Sequence, residues 1–343
     1  MIEMRSDTFT IPSKKMLKTI LNANLGDDVY GEDPTVKKLE AISANILGKE
    51  EAVLMPSGTM ANLASILAHC PRGSKVILGN ESDIYLHESS GASVCGGVVY
   101  EPIKTQIDGS MLISDIINIL SKDKDDLQFA IPALICIENT HNRMGGVPLS
   151  LQYLSDLYDF AKKNGISIHM DGARIFNASI AIDTVVKEIA KYCDSVQFCL
   201  SKSLSAPIGS VVLGSKHFIN KVRIIRKMLG GGMRQSGIIA APGIYAIQNM
   251  KKQLILDHKH ARFLFDNLSK VPGICLSFKK PYTNMVFFTL KNKSVNEFIN
   301  ECKNEGLNIA DLGHDRIRMV THSGISKKDV IKAVDIINKI MRI

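Results

Sequence analysis

Capped amphipathic helices alternate with short apolar runs rich in β-branched residues along most of this chain, and that alternation limits the possible fold more than any other feature. Asp33 stands as an N-cap before Pro34, and Val36, Leu39, Ile42, Ile46 and Leu47 then recur on one helical face until Gly48. Ser150 opens a second such helix through Leu151, Leu154, Leu157, Tyr158 and Ala161, with Gly165 as its stop. Between the helices lie strand-like runs at Lys75 to Leu78, Leu134 to Glu138, Ile166 to Met170, Val196 to Leu200 and Val211 to Leu213. Elements of these lengths in this order predict an α/β fold with a mostly parallel sheet covered on both faces. After a helical stretch through Ala246 to Phe265, strand candidates at Met285 to Leu290 and Arg316 to Val320 flank helices near Asn296 to Glu305 and Lys327 to Met341. This predicts a large domain over residues 1–250, N-terminal segment included, and a small C-terminal α/β domain over 251–343.

At 343 residues the chain exceeds the size at which one core usually keeps growing, and its 45% hydrophobic content is ample for two. The seven cysteines are scattered without a CxxC pair, and several fall in apolar runs, a reduced pattern expected of a cytoplasmic protein. No basic start followed by an apolar stretch is visible at Met1 to Asp7, and no apolar run approaches the length of a membrane span. The net charge of +8 comes from dispersed lysine pairs such as Lys14-Lys15 and Lys279-Lys280, which argues against a nucleic-acid stripe while favouring anionic ligands.

Lys202 follows the apolar run Ser195 to Leu200 and opens a turn of small residues, Ser201 to Gly209. A strand that delivers an amine to such a turn places it for carbonyl chemistry. Upstream, Ile166 to Met170 delivers Asp171-Gly172-Ala173-Arg174 in the same way. A lysine able to form a Schiff base and an aspartate able to hold a pyridinium nitrogen are the two groups that pyridoxal phosphate chemistry most needs from a protein. Pro56-Ser57-Gly58-Thr59 opens a helix, and its free amides, its glycine and the hydroxyls of Ser57 and Thr59 suit a phosphate. Arg174 and Arg318 each offer a planar guanidinium for a substrate carboxylate. Gly230 to Gln235 lacks both P-loop and GxGxxG spacing, and reads as a turn that brings Arg234, with Lys227, to a phosphate or a subunit contact. His258 and His260 lie two apart on a helix and face different directions, so no metal is assigned.

Taken in order, Arg5 to Thr8, Gly26 to Pro34, Ser57 to Asn62, Glu138 to Asn142, Asp171 to Ala178, Leu200 to Lys202, Gly230 to Gln235 and Arg318 to His322 resemble the threonine aldolase family of fold type I pyridoxal phosphate enzymes. The resemblance implies cleavage of a β-hydroxy-α-amino acid to glycine and an aldehyde. It implies that pyridoxal 5′-phosphate is bound by Ser57, Gly58, Thr59, Asp171, Arg174 and Lys202, with Lys227 and Arg234 reaching a neighbouring subunit's site in a homotetramer built from tight dimers. Lys202, Asp171 and His141 would be catalytic, His141 beside the β-hydroxyl, and Ser6, Tyr30, His87, Arg174 and Arg318 would bind substrate. Two positions depart from the family. Asp83 stands where a stacking histidine is usual, leaving Tyr85 or His87 as the nearby rings, and Ser203 replaces a glycine after the lysine. The competing expectation is another fold type I enzyme acting at Cα or Cβ: a β-eliminating lyase, a transaldolase or a serine hydroxymethyltransferase-like enzyme.

Overall fold

The computed structural model describes residues 1–120 and 128–342. Its centre is a seven-stranded sheet of β1 (Glu51–Met55), β2 (Lys75–Gly79), β3 (Val99–Ile103), β4 (Pro132–Glu138), β5 (Ser167–Asp171), β6 (Ser195–Cys199) and β7 (Ser210–Gly214), in the order β1-β7-β6-β5-β4-β2-β3. Strand β7 runs antiparallel to both neighbours, and the remaining pairs are parallel. Every residue of β6 and β7 is buried, as expected for strands covered on both faces. Side-chain alternation sorts the strands between two cores. Ala52 and Leu54 of β1 join Leu39, Leu154, Ile168 and Phe198 on one face, whereas Val53 and Met55 join Ala61, Val212 and Val222 on the other.

The helix ends follow the expected chemistry. Asp33 accepts from the amides of Thr35 and Val36 ahead of Pro34–Leu47, and Gly48 closes that helix at φ 65°. Ser150 caps Leu151–Asn164, which Gly165 ends at φ 69°. Strands β1 and β3 lie outside the apolar runs predicted as strands, and the helical stretch predicted over Ala246 to Phe265 divides at Met250 into Gly237–Asn249 and Lys251–Leu268.

A second sheet combines β8 (Ile274–Leu276), β9 (Met285–Leu290), β10 (Ala310–Asp311) and β11 (Ile317–Val320) in the antiparallel order β10-β11-β9-β8. Leu264, Phe288, Phe298, Met319 and Ile337 fill its core. The first residues of the chain belong physically to this second unit. Ile2 and Glu3 pair in parallel with Leu307 and Asn308, and Ile2 and Met4 bury in the second core. Their apolar side chains alternate with polar ones, which is the pattern of a half-buried strand, and the division at residue 250 did not use it.

Candidate active site

The parallel strands all end at one edge of the sheet, where ligands bind in open α/β sheets. Beyond the carboxyl ends of β1, β2, β5 and β6 lies a cavity of about 340 Å³, lined among others by Gly58, Thr59, Asp83, His87, Asp171 and Lys202. Asp171 is the last residue of β5, and Lys202 lies three residues beyond β6. Strands β6 and β7 run antiparallel with Cys199 opposite Ser210, so the intervening Lys202 turn is tied at both ends. Within it, Leu200 N donates to Gly209 O and Ala206 N to Leu200 O. Thr10 Oγ also donates to the Lys202 carbonyl, at 2.9 Å.

Both oxygens of Asp171 are held. Oδ1 accepts from Gln197 Nε2 at 2.5 Å and from the Ala173 amide at 3.0 Å, and Oδ2 accepts from Asn62 Nδ2 at 3.0 Å. Burial works against the Lys202 ammonium, yet the negative charge available at Cys199, Asp171 and Asp83 outweighs it against the opposition of Arg174, and the pKa stands above the usual lysine value. Burial also raises the Cys199 thiol. At neutral pH it is therefore the two carboxylates that favour the cation.

Ser57 caps the helix Gly58–His69, its hydroxyl accepting from the Met60 amide at 3.1 Å. Gly58 has a steric reason of its own, because a Cβ there would lie 2.8 Å from Cys199 Sγ. The glycine lets the helix start close over the end of β6, bringing its first amides to the cavity.

Asp83 occupies one wall. Its amide donates to Glu138 Oε2 at 2.9 Å, and its carboxylate accepts from Asn142 Nδ2 at 3.2 Å and lies 3.9 Å from His87 Nε2. Burial resists ionisation of Asp83, but Lys202, Arg174, Asn142 and His87 prevail and lower its pKa. Glu88, also lining the cavity, behaves oppositely: desolvation and the charge of Asp171 push its carboxyl up to about 8.

The arginines differ. Arg174 donates from Nε and Nη2 to Asp7 at 2.8 and 2.6 Å, in a pair whose side chains are 3% and 0% exposed. The two-pronged grip expected on a substrate carboxylate is thus made on Asp7, which also accepts from Ser203 Oγ. Arg318 donates to Asn142 Oδ1 at 2.6 Å and to the Arg5 carbonyl at 3.0 Å, while its buried Nε has no partner among the described residues. Desolvation, then the charge of Arg174, lower its pKa to about 10. A buried cation with an unused donor is suited to an arriving carboxylate. Ser6, which follows the Arg5 carbonyl that Arg318 holds, is buried and caps the turn Asp7–Phe9 through Thr8 N.

His141 sits in the adjoining loop, 2% exposed, with Nδ1 unpaired and its pKa lowered to about 4 by desolvation against the pull of Asp83 and Glu81. It is not among the residues lining the cavity, whereas His87 is. Tyr30, Lys227 and Arg234 gather elsewhere on the surface: Tyr30 is 74% exposed, and Arg234 is paired with Asp27 at 2.8 Å. Thr8, Asn62, Glu88 and Gln197 line the cavity without having been singled out from sequence. Asn62 could have been found, because a buried amide one turn into a helix that starts at an anion site faces the ligand side.

An amine and a carboxylate thus line one cavity at this edge of the sheet, in a chain whose fold is the fold type I architecture and whose family is one of lyases. The chain belongs to the beta-eliminating lyase family, whose model matches residues 3–293. Low-specificity L-threonine aldolase 1 of Arabidopsis thaliana is 41% identical over 333 residues, covering 96% of this chain and 93% of the relative. The low specificity L-threonine aldolase of Escherichia coli K12 is 39% identical, covering 96% of each chain. The threonine aldolase of Leishmania major has the same fold, with a TM-score of 0.84 over 99% of this chain and 100% of its own at 21% identity.

The donor set fits pyridoxal 5′-phosphate. Lys202 would offer the amine, Asp171 a carboxylate locked by three donors, and the start of Gly58–His69 a cluster of amides for a phosphate.

Proposed function

We propose that this protein cleaves β-hydroxy-α-amino acids, L-threonine and L-allo-threonine among them, to glycine and an aldehyde, with pyridoxal 5′-phosphate in the cavity at the sheet edge. The observation that carries this reading is that Lys202 and Asp171 line the same cavity as Gly58 and Thr59. In the reaction the Cα–Cβ bond breaks, the β-hydroxyl loses its proton, Cβ becomes the aldehyde carbon and Cα gains a proton to give glycine. Pyridoxal phosphate, when bound, supplies the sink for the electron pair left at Cα.

The chain's own residues do the rest. Asp171 holds the ring-nitrogen end of the group, and the first amides of Gly58–His69, with Ser57 and Thr59, hold the phosphate end. Lys202 carries the reactive amine. Arg318 binds the substrate carboxylate through its spare donor, with Ser6 beside it, and Arg174 is fixed by Asp7 as a neighbouring positive charge. Fixing the carboxylate determines which bond at Cα is aligned for cleavage. The hydroxyl proton passes to an imidazole: His87 stands in the cavity beside Asp83, and His141, uncharged at neutral pH, has an open Nδ1 in the adjoining loop.

Exposed Ile224 and Met228 share a helix with Lys227, and Arg234 pairs with Asp27, the cap of the turn that carries exposed Tyr30; apolar side chains left open beside these cations suit a second copy of the chain. We read the assembly as a dimer of dimers in which these two cations serve a neighbour's cavity. Free thiols at Cys70, Cys136, Cys193 and Cys302, all buried, support a reducing, cytoplasmic setting. The test is acetaldehyde release from L-threonine and L-allo-threonine by the enzyme loaded with pyridoxal phosphate. Absence of acetaldehyde from both isomers would refute the aldol reading in favour of another reaction at Cα or Cβ, for which Asp83 in place of a ring is the motivating observation.

A further inference from the structure

Behind Asp171 a line of buried polar side chains leads away from the cavity. Asn62 Nδ2 reaches Asp171 Oδ2 at 3.0 Å and Glu88 Oε1 at 2.8 Å, and Asn62 Oδ1 lies 3.1 Å from His169 Nε2. His169 Nδ1 lies 2.9 Å from Ser195 Oγ, which in turn lies 2.7 Å from His69 Nε2. Asn62, His169 and Ser195 are 1%, 0% and 0% exposed, so water does not complete their bonding.

Counting donors gives the line a direction. The Asn62 nitrogen has two hydrogens for two carboxyl oxygens, which leaves its oxygen to accept from His169 Nε2–H. Desolvation pushes the His169 pKa down to about 3, so the ring is neutral and Nδ1 must accept. Ser195 then donates its single hydrogen to His169 and accepts from His69 Nε2–H. His69 is neutral as well, lowered to about 4 mainly by burial. Every link donates toward Asp171, and aligned hydrogen bonds of this kind strengthen one another.

We propose that Asn62, His169, Ser195 and His69 form a one-way donor chain that positions Asp171, so that residues remote from the substrate set the affinity for the cofactor. This rests on the cavity taking pyridoxal phosphate. Gln197 and the Ala173 amide secure one oxygen of Asp171, and the chain secures the other, which stops the carboxylate from rotating. His169, Ser195 and His69 are therefore positioning residues. His69 anchors the far end, its ring stacked on Phe218 with centroids 4.4 Å apart.

Two measurements test this. Nitrogen-15 NMR of the histidine rings in the protein without added cofactor should show His169 and His69 neutral and protonated at Nε2 at pH 7. An Nδ1–H tautomer or a cationic ring at position 169 would overturn the proposal. Absorbance titration with pyridoxal phosphate should show the dissociation constant rising about tenfold for His169→Phe, which removes the donor that serves Asn62. His169→Gln, which keeps a donor facing Asn62, should stay within about threefold of the parent. Ser195→Ala, a smaller change that serves if the phenylalanine variant does not fold, should fall between them. Unchanged affinity in both His169→Phe and Ser195→Ala would refute the chain. Loss of acetaldehyde production with these affinities as expected would refute only the aldol reaction, and the tautomer measurement decides even if the parent binds no pyridoxal phosphate.

Discussion

Replacing Asp7 by asparagine breaks a fully buried ion pair on one side. Arg174 and Asp7 meet through two hydrogen bonds with side chains 3% and 0% exposed, so the substitution leaves a guanidinium in the interior facing a neutral amide. Removing one partner of such a pair costs about 3–5 kcal/mol, more than the pair contributes over a well-packed apolar replacement, since most of the loss is the stranded charge. The double variant Asp7→Asn/Arg174→Met should therefore be more stable than Asp7→Asn alone. Burial pushes the Asp7 carboxyl up, but the charge and hydrogen bonds of Arg174, the Ser203 hydroxyl and the charge of Lys202 hold it well below the usual 3.8. A carboxyl with a depressed pKa stabilises the fold above its unfolded-state value and loses that contribution as pH falls toward the folded one. The gap between parent and Asp7→Asn should be constant from pH 5 upward and narrow only below about pH 4. Urea unfolding at a series of pH values reads both quantities. A loss under about 1 kcal/mol, or a double variant less stable than the single, would refute the account. Because Ser203 also bonds to Asp7, cofactor affinity should fall along with stability.

Arg318→Met should lower kcat/KM for the amino acid by about 10–100-fold because a binding cation disappears, with only a small fall in melting temperature, since removing the unpaired donor offsets part of the lost bonds to Asn142 and Arg5. Equal kcat/KM would remove Arg318 from the substrate site. Lys202→Ala should abolish both turnover and the absorbance band that borohydride removes from the parent, and a surviving band would assign the reactive amine elsewhere. With its carboxyl raised to about 8, Glu88 destabilises the fold progressively from its unfolded-state pKa near 4.5 up to pH 8, the stability present at low pH being lost on the way. Glu88→Gln keeps an acceptor for Asn62, so its melting temperature should vary less between pH 5 and 8 than the parent's. An identical pH profile would show that Glu88 is ionised like a surface carboxylate.

Where chemistry was local, the sequence was readable. Asp33 before Pro34, Gly48 and Gly165 act where their backbone preferences require, and the runs leading to Asp171 and Lys202 are strands that end at one edge. What escaped depends on contacts distant along the chain. Arg174 looked free because its partner, Asp7, lies 167 residues away, and a buried pair leaves no trace in local pattern. Gly58 lines the cavity, and its second constraint, the contact with Cys199, comes from a residue far along the chain. Strand β1 was missed because its run of four apolar residues, Ala52 to Met55, follows a helix stop so closely that periodicity has no window in which to show. The reversed direction of β7 is likewise invisible in composition, since a fully buried antiparallel strand is as apolar as a parallel one.

That reversed strand has a bearing on turnover. A parallel partner would have needed a helical crossover after β6, leaving Lys202 on a junction with one firm end. With β7 returning at once beside β6, the peptide that carries Lys202 is gripped from both directions by the middle of the sheet and from above by Thr10. The main chain is therefore a fixed mount. Whatever travel the Lys202 amine makes falls to the rotations about its own methylene bonds.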